Sequence, residues 1–275
     1  MRLKEEFQKF KGFIFDCDGV IWKGETKIEG VDDVVRILRE KGRKIVFLTN
    51  NSTKTRREYA EKLKLFGIET DIDEIVTSGY ATGQYLMRKY GKHLKLYIIG
   101  ENGLIEEMKG FGFTIVHEKD AWHSKIDAVI VGLDRELTYE KLAAGAHAIL
   151  NGAKFIATNA DPNIPAEKGL LPGAGAIVSF LETATRIKPE IVIGKPNIET
   201  MNFALRILGT RPEDALVVGD RIETDVIAAK RVGCKSLIVL TGATTLEEIK
   251  KSKVKPDFVL RSLLDMVLTS SVLKG

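Results

Sequence analysis

The 275-residue sequence predicts an α/β protein, a doubly wound parallel sheet with a second α/β unit inserted into it. Three observations point there. Short, unbroken apolar runs alternate with helical stripes. Glycines such as Gly42 and Gly67 stand where those helices should stop. Several apolar runs end abruptly in polar residues, at the strand ends where open α/β sheets place their ligands. The length is large for one compact core and favours two domains, or one domain carrying an insertion.

In chain order, the first strand is expected at 13–15, where Phe13, Ile14 and Phe15 suit burial on both faces. A helix over 31–41 follows, with Val31, Val34, Val35 and Leu38 on one face and Gly42 behind it. Residues 44–48 read as a second buried strand, 54–66 as a helix closed by Gly67, 74–77 as a short strand and 79–90 as a helix. From Lys95 the rhythm continues as a separate unit, with strands at 96–99, 113–116, 128–131 and 155–158. Helices are expected there at 102–109, 138–150 and 175–185. From Glu190 the first style returns, with strands at 191–193, 216–218, 236–240 and 257–260 and helices at 198–208, 224–232 and 246–251. The simplest organisation is a Rossmann-like core over 1–88 and 186–275, interrupted by an α/β unit over 89–185.

Composition excludes several classes. Hydrophobic residues at 44% and charged residues at 29% are ordinary for a soluble globular chain. The 42 basic and 38 acidic residues are scattered, with no arginine-rich arm or basic stripe, so no nucleic-acid polymer is expected as partner. No apolar run approaches the length of a transmembrane helix, so no membrane partner is expected. Residues 1–11 mix Lys, Arg and Glu without an apolar stretch, so a secretion signal is not expected at that end. Two cysteines far apart, Cys17 and Cys234, fit a reduced, cytoplasmic setting.

Four strand ends carry the chemistry. The first is Asp16 with Asp18, two carboxylates that lean the same way in extended geometry and repel unless a cation or a shared proton relieves them. Alone this is equally an Asp-Gly turn. The second is Thr49-Asn50-Asn51, small hydrogen-bonding groups before a helix, suited to phosphate oxygens or simply to an N-cap. The third is Lys195, directly after an apolar strand, and the fourth is Gly219-Asp220 with Asp225 in the following turn. Singly these read as a solvated lysine and as helix-start acids. Jointly, at one edge of a parallel sheet, they read as a site for a divalent cation and a phosphoryl group.

Asp16-Cys17-Asp18-Gly19-Val20, Thr49 with Asn50, Lys195, and Gly219-Asp220 with Asp225 resemble, in order, the four motifs of the haloacid dehalogenase-like phosphatases. Thr49-Asn50-Asn51-Ser52, Val131-Gly132-Leu133-Asp134, Thr158-Asn159 and Pro172-Gly173-Ala174-Gly175 look like the NagD and p-nitrophenylphosphatase branch, which carries an α/β cap domain between the second and third motifs. The resemblance implies a Mg²⁺-dependent phosphatase of small phosphorylated metabolites acting through an aspartyl-phosphate. Asp16 would be the nucleophile and Asp18 the acid–base group. Lys195 would neutralise charge, and Thr49, Asn50 and Asn51 would hold phosphoryl oxygens. Asp16 and Asp220 would bind Mg²⁺ through side chains and Asp18 through its carbonyl, with Asp225 steadying the metal's surroundings. A homodimer through the cap is also implied.

In the cap, Asn159 and Asp161 are the candidate substrate contacts, although Asp161 also reads as a turn former. Cys17 alternates away from its flanking aspartates and reads as packing. Pro172-Gly173-Ala174-Gly175-Ala176 lacks the lysine and spacing of a P-loop and reads as the hinge returning to the core. His93, His117, His123 and His147 show no metal-ligand spacing. Two rival readings are a phosphotransferase passing the group to an alcohol and a non-catalytic phosphometabolite-binding regulator. The intact set of Asp16, Asp18, Lys195 and Asp220 argues against the regulator.

Overall fold

The computed structural model describes residues 1–166 and 169–268, which fall into two compact units. The first comprises Met1–Thr49, Tyr59–Val76 and Lys195–Gly275; the second comprises Asn50–Glu58 and Thr77–Gly194.

The first unit is built on a six-stranded sheet in the order Phe258–Leu260, Lys235–Val239, Ala215–Gly219, Gly12–Phe15, Lys44–Thr49, Ile75–Thr77. The pairings from Phe258–Leu260 through Lys44–Thr49 are parallel. Gly12–Phe15 and Ala215–Gly219 are buried at every position, as unbroken apolar runs in a two-sided sheet should be. Winding proceeds outward in both directions from Gly12–Phe15. The switch point therefore lies between that strand and Ala215–Gly219, whose next residues are Asp16 and Asp220.

The helix Val31–Glu40 buries Val31, Val34, Val35, Ile37 and Leu38, the stripe its spacing predicts. Its end is closed by Gly42, whose φ of 67° a side-chain-bearing residue rarely adopts. Aromatic side chains gather in the core: Phe7, Phe10, Phe13, Phe15, Phe47, Trp22 and Tyr59 pack in one cluster with Val, Ile and Leu side chains.

The second unit has its own parallel sheet, in the order Ile191–Val192, Lys154–Ala157, Ala128–Val131, Lys95–Ile99, Thr114–Ile115. Ile177, Val178 and Leu181 from the helix Ala174–Thr185 join its core with Leu142, Ala148 and Ile149 from Tyr139–Leu150.

Four expectations change. The run at 191–193 is not a strand of the first sheet: Ile191–Val192 pairs with Lys154–Ala157 in the second. A two-residue apolar strand has the same pattern in either parallel sheet, so only long-range pairing decides its partner. The segment read as a loop from Asp161 through Ile164 leads into a hairpin, Asn163–Ala166 against Gly169–Pro172. Its prolines argue against strands in a sequence reading, yet edge strands tolerate them. The stretch 172–176, expected as a hinge, is instead the end of that hairpin and the start of Ala174–Thr185. Finally, the expected helix at 224–232 begins as a π-helical turn, Ile222–Val226, before the α-helix Ile227–Val232.

Candidate active site

Asp16 leaves the central strand with its amide donating to Val218 O at 2.8 Å, which ties it to the neighbouring strand. Its Oδ1 accepts from the Cys17 amide at 2.8 Å and from Lys195 Nζ at 2.9 Å. Lys195 Nζ also donates to Asp225 Oδ1 at 2.7 Å, and both of those side chains are only 2% exposed. Asp225 Oδ2 accepts from the amides of Asp220 at 3.2 Å and Arg221 at 3.1 Å, and from Thr224 Oγ1 at 3.4 Å. The π-helical turn makes this possible. Val226 N–H reaches back to Arg221 O across five residues, and the widened turn folds Asp225 over the preceding amides.

Asp220 is held differently. Its Oδ2 accepts from the Ala243 amide at 2.7 Å, and its carbonyl accepts from Thr244 N–H at 3.0 Å. Glycines line both carboxylates at close range. A Cβ at Gly19 or Gly242 would collide with Asp220, and one at Gly219 would collide with Asp225. Gly242 and Ala243 were not singled out in the sequence. Their signal was a glycine just past the end of an apolar strand, which reads as an ordinary turn.

Oxygens of Asp16, Asp220 and Asp225 all lie within 4.8 Å of one another. At that separation or less each ionised pair repels by ~3.5 kcal/mol or more at an effective dielectric of ~20. Burial pushes the Asp16 carboxyl well above the ordinary range; Asp225 and Asp220 push it further, against the pull of Lys195. Burial, with Asp225 beside it, pushes Asp220 up to about 6. Burial works against the Lys195 ammonium, but Asp16 and Asp225 outweigh it and hold its pKa above the ordinary value. The donor set is all carboxylate oxygen and crowded with like charge, the chemistry that hard divalent cations relieve.

Around this cluster, Asp18 Oδ1 accepts from the Trp22 indole N–H at 2.9 Å. Thr49 ends its strand buried, and its side chain shares a hydrogen bond with Tyr59. Burial, together with Asp18 and Cys17, keeps the Tyr59 hydroxyl protonated far beyond its usual range. Cys17 is fully buried in the aromatic core, and burial followed by its two aspartate neighbours raises its thiol well above normal. It is a packing residue, as alternation predicts.

The other candidates lie in the second unit. Asn50 Nδ2 donates to both oxygens of Asp161, each at 3.2 Å. Asn159 Nδ2 donates to Asn50 O at 2.8 Å, and its Oδ1 accepts from the Asp161 amide at 3.1 Å. Asn51 Oδ1 accepts from Thr53 N–H at 2.9 Å and Thr53 Oγ1 at 2.8 Å, a local Asx turn. The glycines of the Pro172-Gly173-Ala174-Gly175 stretch have a structural reason: a Cβ on Gly173 or Gly175 would strike the carbonyls of Asp161 or Ala160. Gly175 N–H donates to Asp161 O at 2.9 Å, so the helix start seats the backbone that carries Asp161.

Residues 13–114 match a family model described as haloacid dehalogenase-like hydrolase, and residues 192–266 match a HAD-hydrolase-like model. The chain is 39% identical to phosphoglycolate phosphatase 2 of Arabidopsis thaliana, over 96% of this chain and 94% of that protein. It is also 39% identical to the 5'-nucleotidase YutF of Bacillus subtilis, over 94% and 98%. Among solved structures, a p-nitrophenyl phosphatase from Archaeoglobus fulgidus superposes with a TM-score of 0.87 at 41% identity, over 94% and 98% of the two chains. The glycerol phosphate phosphatase Rv1692 from Mycobacterium tuberculosis, in complex with magnesium, has a TM-score of 0.87 at 31% identity, over 99% and 80%.

Proposed function

The chain belongs to the haloacid dehalogenase-like hydrolases and is a phosphatase of small phosphate monoesters, and we propose that Asp16 is its nucleophile. The observation that carries this reading is the crowding of Asp16, Asp220 and Asp225 around Lys195 at the switch point of the first sheet. A carboxylate needs no helper base to be a nucleophile at neutral pH once its charge is stabilised, and the Lys195 ammonium at 2.9 Å contributes that stabilisation.

Asp16 attacks phosphorus, and the bond to the leaving oxygen breaks with its electron pair. Asp18 gives that oxygen a proton. The resulting acyl phosphate is hydrolysed by a water whose proton Asp18 takes, which returns Asp16 and releases inorganic phosphate. Lys195 offsets the charge that builds on the phosphoryl group. Thr49 serves the phosphoryl oxygens. Asn50, Asn51, Asn159 and Asp161, all in the second unit, keep the substrate-binding role their sequence pattern carries.

Mg²⁺ fits the acidic cluster. Asp16, Asp220 and the Asp18 carbonyl would hold it. Asp225 stands behind them, because Lys195 and the amides of Asp220 and Arg221 already engage both its oxygens. When bound, the ion would offset the repulsion between these carboxylates and an incoming phosphate.

The substrate class is drawn from nucleoside monophosphates, phosphoglycolate and sugar phosphates, with p-nitrophenyl phosphate as generic probe. The test is phosphate release over that panel with Mg²⁺, ranked by kcat/KM, for the wild type and Asp16→Asn. Hydrolysis that disappears in Asp16→Asn supports the assignment, and near-normal turnover in that variant overturns it.

A further inference from the structure

The segment after Asp16 doubles back on itself. Cys17 O accepts from the amides of Val20, Ile21 and Trp22, the closest at 2.8 Å, and Gly19 N–H donates to Trp22 O at 2.7 Å. Gly19 makes this reversal with a φ of 80°, in the left-handed region that favours glycine. The result sets residue 22 beside residue 18, and the Trp22 indole N–H meets Asp18 Oδ1 at 2.9 Å.

The indole itself cannot swing. Trp22 is only 1% exposed and stacks on Tyr59 with ring centroids 5.9 Å apart and planes at 19°. Phe66 packs on it at 5.9 Å. Lys62 Nζ stands 4.7 Å from the ring centroid while donating to Gly24 O at 2.9 Å, clamping the turn that follows Trp22. An apolar cluster could be filled by phenylalanine. An indole N–H buried in one requires a hydrogen-bond partner, and here the partner is a carboxylate.

We propose that Trp22 is a positioning residue for proton transfer: its indole N–H, bonded to Oδ1, holds in place the Asp18 carboxyl that gives and takes the proton. This rests on the reading of Asp18 as the acid–base group. As the P–O bond breaks, the ester oxygen takes the bonding pair and the proton of the Asp18 carboxyl, leaving Asp18 as a carboxylate. The need for that proton grows with the basicity of the departing alcohol. A loosened Asp18 therefore penalises poor leaving groups and spares good ones.

The experiment compares kcat/KM across substituted phenyl phosphates, from p-nitro to p-methoxy, because kcat/KM excludes the later hydrolysis of the acyl phosphate. Three forms are set against the wild type: Trp22→Phe, Asp18→Asn, and a form with β-(3-benzothienyl)alanine at position 22. The last keeps the indole shape without its N–H. It is made in a Trp122→Phe background, since Trp22 and Trp122 are the two tryptophans of the chain. The benzothienyl form covers any folding loss in Trp22→Phe, with thermal melts as control. We expect kcat/KM for the p-methoxy ester to fall ~30-fold and for the p-nitro ester to fall less than ~3-fold, a partial loss of the ~10²- to 10⁴-fold that general acid catalysis supplies. Equal losses on both esters, or an unchanged dependence on leaving group, overturn the positioning role when Asp18→Asn does steepen that dependence. If Asp18→Asn leaves the dependence unchanged, the acid–base reading of Asp18 falls, and this inference falls with it.

Discussion

Around Asp16 the first unit packs three carboxylates against one ammonium, whereas around Asp161 the second unit surrounds a single carboxylate with amides. In the amide cluster the protein itself supplies the partners: Asn50 donates to both Asp161 oxygens, and Asn159 accepts the Asp161 amide. In the acidic cluster Lys195 serves Asp16 and Asp225, yet Asp16 and Asp220 are still pushed toward protonation by burial and by Asp225. A buried polar network that closes on itself specifies structure. One that remains electrostatically strained marks a place where a ligand's charge belongs.

The comparison can be broken most sharply at Asp16. Asp16→Asn should cost ~10⁴-fold or more in kcat, because the amide is no nucleophile. The metal-free melting temperature should not fall, because one of three crowded charges has gone. Phosphate release and a melting curve on the same sample check both halves.

Lys195→Met comes next. It should lower kcat/KM ~10²- to 10³-fold, and denaturant titration should show a loss of ~3–5 kcal/mol, because it strands buried carboxylates. Asn50→Ala, in the amide cluster, should cost only ~1.5–3 kcal/mol, the scale of a lost hydrogen bond to a charged group. Equal destabilisation by the two would erase the distinction.

Magnesium should separate the clusters as well. At ~100 times its dissociation constant it should stabilise the folded chain by ~2.7 kcal/mol, and EDTA should reverse this and abolish turnover. Asp220→Asn should lose most of that stabilisation while Asp161→Asn keeps it. The smallest effect belongs to Asp161→Asn itself. It is expected to shift the kcat/KM ranking among phosphate esters by ~10-fold at most, with p-nitrophenyl phosphate least affected.

Much of the fold was legible because its signals are local. The stripe Val31, Val34, Val35 and Leu38 folds as read, and Phe13 to Phe15 is a central strand. Asp16, Asp220 and Asp225 were legible as a set because parallel strands carry their ends to one edge. Other features left little trace. The pairing of Arg2–Leu3 with Val267–Leu268 joins two-residue strands too short to show any periodicity. Ala243 contributes only its amide to Asp220, and any non-proline residue has an amide. Trp22 was not singled out in the sequence, and its indole N–H became visible only beside its acceptor.

Lys195 shows where local pattern stops and three-dimensional packing takes over. Residue type and order sufficed to single out a lysine among four polar strand ends, together with the apolar runs and the glycine stops. They did not tell which sheet would take the run before it. Ile191–Val192 pairs in the second sheet, while the lysine two residues beyond Ile193 bonds Asp16 and Asp225 in the first unit. Strand pairing and the convergence of charges depend on residues far apart in the chain, whose contact energies no short window contains. The carboxylates were written in the sequence; their crowding, raised pKa values and common ammonium exist only once the chain has closed around them.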